Sequence, residues 1–132
     1  MEITTQSYQQ TNSGLKIATC STHTIAALGN DLWVTGYNSS GQLGLGHTEN
    51  VDTFTKVHNE FDNSGIKEIV CWAEGRDFYD YSIVLTNAGN VFITGRFCNF
   101  SGDIHEFTKI DNLSNIFTIV CCDDLFFAIS AY

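Results

Sequence analysis

Short apolar runs rich in Ile, Val, Thr and Phe recur along the chain, broken by Gly, Asn, Asp and Ser. Ile69-Val70-Cys71-Trp72 and Ile116-Phe117-Thr118-Ile119-Val120-Cys121-Cys122 are apolar nearly throughout. Runs of this length and composition predict strands, and continuous apolarity predicts strands covered on both faces. The runs also repeat. Ile17-Ala18-Thr19-Cys20, Ile69-Val70-Cys71-Trp72 and Ile119-Val120-Cys121-Cys122 start 52 and 50 residues apart. Leu32-Trp33-Val34-Thr35-Gly36 returns as Val91-Phe92-Ile93-Thr94-Gly95, an offset of 59 residues. Thr53-Phe54-Thr55-Lys56-Val57 returns as Glu106-Phe107-Thr108-Lys109-Ile110, an offset of 53. Three echoes in one order mark tandem repeats of one supersecondary unit.

Each repeat predicts four short strands. In the first they run from Leu15 to Cys20, Thr24 to Leu28, Leu32 to Thr35 and Phe54 to Val57. In the second they run from Glu68 to Trp72, Ser82 to Thr86, Val91 to Thr94 and Phe107 to Ile110. The third supplies two, Phe117 to Cys122 and Phe126 to Ser130. Gly29-Asn30-Asp31 and Asn87-Ala88-Gly89-Asn90 have the residues that tight turns favour. The expected fold class is therefore all-β: a partial β-propeller of four-stranded antiparallel blades, about two and a third repeats. Residues 15–61 form blade repeat one, 62–112 repeat two and 113–132 a partial repeat three. Residues 1–14 form a polar segment whose stretch from Ile3 to Tyr8 is expected to add a closing strand to the third blade.

Composition narrows the function. Fifteen acidic and six basic residues leave a net charge of −9 across 132 residues. A nucleic-acid surface needs a basic stripe, so direct nucleic-acid binding is not expected. An anionic membrane is disfavoured by the same charge. No apolar stretch reaches the roughly 20 residues that span a bilayer. Five cysteines, an odd number, without an apolar leader point to a reducing compartment, cytoplasmic or nuclear.

The first repeat resembles the regulator of chromosome condensation family. The residues that carry the resemblance are His23-Thr24-Ile25-Ala26-Ala27-Leu28, Trp33-Val34-Thr35-Gly36-Tyr37-Asn38 and Gly41-Gln42-Leu43-Gly44-Leu45-Gly46. The resemblance implies one propeller blade per repeat, with His23, Gly36, Asn38, Gly41, Gln42, Leu43, Gly44, Gly46, Gly95 and Gly102 as repeat-defining structural positions. It also implies two candidate roles: a protein-binding module, or a guanine nucleotide exchange factor or regulator of a small Ran-like GTPase. The later repeats depart from the pattern. Tyr81 and Leu125 stand at the His23 position, and of the Gly-Gln-Leu-Gly stretch only Gly102 remains in repeat two. These losses lead to the expectation of a reduced member, a non-catalytic binding module docked in a larger complex or self-assembled, with exchange activity as the alternative.

No residues suggest local chemistry. The Gly41–Gly46 loop lacks the Lys of a phosphate-binding loop. Cys20-x-x-His23 is half of a metal motif without a second half, and zinc needs four converging ligands; no metal and no cofactor are expected. No catalytic set assembles, so the chain is expected not to be an enzyme. The insertion from Ala73 to Asp80 breaks the repeat, and insertions of this kind fall on one propeller face. Arg76, Asp77, Phe78, Tyr79 and Tyr81 are its candidate partner-binding residues, Arg and Tyr being favoured at interface centres. Open propeller edges are expected to take a protein partner or a further copy of the chain.

Overall fold

The computed structural model describes residues 7–10, 14–59, 61–73, 79–98, 102–122 and 125–130. They form eleven strands in three antiparallel sheets. The first holds β1 (Ser7–Gln10), β2 (Lys16–Thr19), β3 (His23–Leu28), β4 (Asp31–Gly36) and β5 (Val51–Lys56), in that order. The second holds β6 (Ile66–Trp72), β7 (Tyr81–Thr86), β8 (Val91–Gly95) and β9 (Ile104–Lys109). The third is the pair β10 (Ile116–Cys122) and β11 (Leu125–Ser130). Each sheet is a blade or part of one, and the chain is a partial β-propeller.

The blades pack face to face through their first strands, with β2 and β3 against β6, and β6 and β7 against β10. β2, β6 and β10 therefore lie on the narrow side of a fan that opens towards β5 and β9. Alternation along each strand divides the core in two. Ala18, Ile25, Ala27, Leu32 and Val34 of the first blade meet Ile66, Ile69, Cys71, Val84 and Phe92 of the second. Val70, Ile83, Leu85, Val91 and Ile93 on the other face of the second blade meet Ile116, Ile119, Cys121 and Phe126 of the third. The second blade is thus covered on both faces, and β7 and β8 are buried at every residue.

Two sequence expectations are corrected. The fourth strands begin three residues earlier than Phe54 and Phe107, at Val51 and Ile104. The pairing runs past a bulge, so that Gly36 faces Val51 and Gly95 faces Ile104. Thr35 Oγ1 donates to Val51 O at 2.9 Å, and Thr94 Oγ1 lies 2.9 Å from Ile104 O, its one proton shared with Gly41 O of the first blade; both contacts sit at the extension. The N-terminal strand does not join the third blade. β1 pairs with β2, Ser7 opposite Thr19 and Gln10 opposite Lys16. This local hairpin closes a short loop, which is entropically easier than reaching the far end of the arc. Ile3 to Gln6 lie outside the described residues.

Candidate functional site

Most of the repeat-defining residues converge on the joint between the first and second blades. The loop after β4 is knotted by Asn38, which is fully buried. Its Nδ2 donates to His47 O at 2.9 Å and Glu49 O at 3.1 Å, and its Oδ1 accepts from Leu43 N at 3.0 Å. The knotted loop then crosses to the second blade. Gly46 N donates to His105 O at 2.9 Å, and Leu45 bridges to Glu106. Gly41 O accepts from Thr94 Oγ1 at 2.6 Å, and Gln42 O accepts from Ser82 Oγ at 2.6 Å. Leu43 enters the core between the blades. The approach is too close for side chains at two positions. A Cβ on Gly41 would lie 2.7 Å from His105 Cα, and one on Gly44 would fall on the Phe107 ring. Both residues also have positive φ, +77° and +69°, so glycine is required there on two counts.

His23 opens β3 opposite Gly36 and makes a second crossing. Its Nε2 lies 2.9 Å from Ser82 Oγ and 3.1 Å from Tyr81 O. A carbonyl only accepts, and the Ser82 hydroxyl proton is committed to Gln42 O, so Nε2 carries the proton. Nδ1 faces the other way, 2.9 Å from Thr22 Oγ1 and 3.2 Å from Cys20 Sγ. Cys71 of β6 completes the group: one ligand-type atom from each of Cys20, His23 and Cys71 lies within 4.8 Å of the others. A hydrogen bond from Cys71 holds the Cys20 thiol down at about 4, against its burial and with help from His23. Burial pushes Cys71 up, and the neighbouring Cys20 adds to the rise. The half-motif in the sequence therefore has a third member, supplied by the next blade.

The candidate partner-binding residues fare differently. Arg76, Asp77 and Phe78 lie outside the described residues. Tyr79 is half-buried and packs against the joint between the second and third blades. Tyr81 is a correction: it is fully buried and stacks on Phe97, with ring centroids 4.5 Å apart and planes at 22°. It has no surface to offer a partner. Its place opposite Gly95 matches that of His23 opposite Gly36, so the aromatic ring occupies an interior repeat position. Gly102 is exposed with nothing within 4 Å of a Cβ, so it makes no crossing of the Gly41 or Gly44 kind. Sequence reasoning missed Phe97. The signal was its position two residues after Gly95, as Asn38 stands two after Gly36.

No protein-family model matches the chain. It is 40% identical over 67 residues to a mouse protein (Mus musculus) named secretion-regulating guanine nucleotide exchange factor, covering 51% of this chain and 13% of that protein. The cattle protein (Bos taurus) of the same name is 39% identical over 64 residues, covering 48% and 12%. In three dimensions the chain is similar to the crystal structure of human WBSCR16, with a TM-score of 0.75 at 13% identity, over 93% of this chain and 32% of that one. Its repeats are of the regulator of chromosome condensation type. The chain spans about an eighth of the length of these curated relatives, 13% and 12%. The regulator of chromosome condensation repeats here thus have relatives named for nucleotide exchange. This overturns the expectation that the chain is not an enzyme, since the relatives are named as exchange factors and an exchange factor is a catalyst.

Proposed function

We propose that this chain supplies propeller blades to a regulator of a small GTPase, acting by nucleotide exchange. The observation that carries the reading is the 40% identity to a protein named as an exchange factor. Exchange is catalysis through differential binding: a surface that holds the nucleotide-free GTPase better than the loaded one lowers the barrier to release. It calls for a rigid protein surface and no cofactor, which suits buried, cross-linked blades. The test is release of a fluorescent guanine nucleotide from a panel of small GTPases, Ran-like members included, with this chain added. Accelerated release from one member supports the reading. No acceleration and no binding across the panel overturns it.

The same reading gives the third blade a protein neighbour. Val120, Phe127 and Ile129 are 48%, 55% and 48% exposed on one face of β10 and β11, while Phe117, at the bulge, has Lys67 Nζ of the second blade over its ring. Val120, Phe127 and Ile129 correspond by repeat register to Val70, Ile83 and Leu85, which are 5%, 0% and 0% exposed beneath the third blade. The equivalence supports another blade of the same repeat type as the cover, presenting a strand like β6 or β10. Sedimentation tests this. The chain is expected to associate, and Phe127→Glu to abolish association while moving stability by less than about 0.5 kcal/mol. A wild-type monomer at high concentration overturns it.

A further inference from the structure

We propose that Cys20, His23 and Cys71 form a binding site for a thiophilic d10 metal ion, Zn2+ or Cu+, that clips the first blade to the second. Cys20 follows β2, His23 opens β3, and Cys71, 51 residues after Cys20, comes from β6 of the next blade. The three ligand atoms already lie within 4.8 Å of one another. With metal–sulfur bonds of about 2.3 Å and metal–nitrogen bonds of about 2.0–2.1 Å, ligand atoms around one ion stand roughly 3.5–4.0 Å apart. The 3.2 Å between Cys20 Sγ and His23 Nδ1 needs to open by only a few tenths of an ångström.

The second observation is the arrangement behind the histidine. A metal-bound imidazole characteristically gives its other N–H to a carbonyl or similar acceptor, which fixes the ring and the tautomer. His23 Nε2 has that arrangement, with Tyr81 O at 3.1 Å and Ser82 Oγ at 2.9 Å. Ser82 is itself anchored by its bond to Gln42 O at 2.6 Å. Nδ1 is thereby left unprotonated on the side of Thr22 Oγ1 and Cys20 Sγ, 2.9 and 3.2 Å away; Sγ is also 4.0 Å from Nε2, to the side of the lone pair, so the thiol and the Thr22 hydroxyl turn when an ion is taken. Two sulfurs and one imidazole are a soft donor set, suited to Cu+ or Zn2+ and poorly suited to Mg2+ or Ca2+. Cys71 is buried, while Cys20 is half-buried beside exposed Ser21. The ion enters from that side, where a fourth position stays open to water for Zn2+. Binding takes the two thiols as thiolates, and their protons leave to solvent.

Because the ligands come from two blades, the bound ion closes the joint that Gly41–Gly46 also spans. The experiment is titration of the reduced, untagged chain with Zn2+ and, separately, with Cu+, each against a chromogenic chelator. Thermal unfolding is followed alongside. One ion per chain is expected, with a rise in Tm. Cys20→Ser and Cys71→Ser are each expected to weaken binding on the order of 100-fold and to remove the rise. Cys98→Ser, outside the group, is expected to change neither. The two titrations decide which ion the site prefers. If Cys71→Ser does not fold, Cys20→Ser and the thiolate-to-cobalt charge-transfer band of the Co2+-loaded wild type carry the test. Binding by the wild type no tighter than by Cys20→Ser, for both ions, overturns the proposal and leaves two packed thiols beside a structural histidine.

Discussion

The two joints between blades solve one packing problem with different chemistry. The joint between the first and second blades is polar at its rim. His23 reaches Tyr81 O and Ser82, and Asn38 knots a loop that crosses to His105 and Glu106. The joint between the second and third blades has Tyr81 and Phe97 at the same two positions, and these rings stack on each other. Phe97 also meets Phe126 of the third blade edge-on, 5.8 Å between centroids. There Arg96, just after β8, bonds Asp103 at 2.8 and 3.0 Å. A histidine and an asparagine have been exchanged for two aromatic rings as a pair. Either pair fills its joint, but the aromatic one leaves Trp72 Nε1, opposite Tyr81, buried without a hydrogen-bond partner. Glu68 adds its own cross-blade anchor, accepting from Thr118 Oγ1 at 3.0 Å and Ile119 N at 3.2 Å.

The sharpest way to break this contrast is Phe97→Ala, which empties the aromatic joint and is expected to cost about 4 kcal/mol in urea unfolding. Its coupling to Tyr81 in a double-mutant cycle is expected near 1 kcal/mol; no coupling would mean the two rings are not a unit. Gly44→Ala comes next, at about 3 kcal/mol, because the methyl group meets Phe107 at a positive φ. Gly102→Ala, at φ +140° in open space, bears backbone strain alone and is expected at about 1 kcal/mol. Equal losses at the two glycines would remove the distinction between a loop that crosses and one that does not. His23→Ala is expected to cost about 2 kcal/mol, from leaving Ser82 and Tyr81 O without their donor.

The smallest effect is one of pH. Asp62, in the linker between the first two blades, is held down at about 2: burial would raise it, but bonds from Ser64, Thr86 and Asn90 outweigh that. A carboxyl lowered on folding contributes stability above its unfolded value, 3.8, and loses it as pH falls through about 2. The corresponding residue in the next linker is Asn112, which does not titrate. Acidification from pH 4 to 2 is therefore expected to loosen the first joint before the second, by segment-resolved hydrogen exchange. Asp62→Asn is expected to flatten that acid limb.

The fold was legible where the pattern was local. Strand echoes, turn residues and the Gly41–Gly46 stretch marked the blades, because backbone conformation and burial leave a mark on neighbouring residues. What escaped was what the joints bring together. Cys71 reads as an ordinary apolar strand residue until β6 is laid against β2. Tyr81 follows an insertion and reads as a surface aromatic, although its register opposite Gly95 puts it inside. The polar Ser7-Tyr8-Gln9-Gln10 shows no strand alternation, yet it pairs because β2 offers it a free edge. Such pairing is settled by backbone hydrogen bonds, to which side-chain pattern contributes little.

That edge has a consequence for assembly. β1 occupies the narrow side of the first blade, where the backbone of β2 would otherwise present open N–H and C=O groups. The first edges of β6 and β10 carry no such strand among the described residues. β1 is then itself the edge strand of its sheet, so the free inner edge of the first blade is moved one strand further in and not closed. An extended peptide adding along the inner rim would meet β1 in the first blade and β6 or β10 in the others.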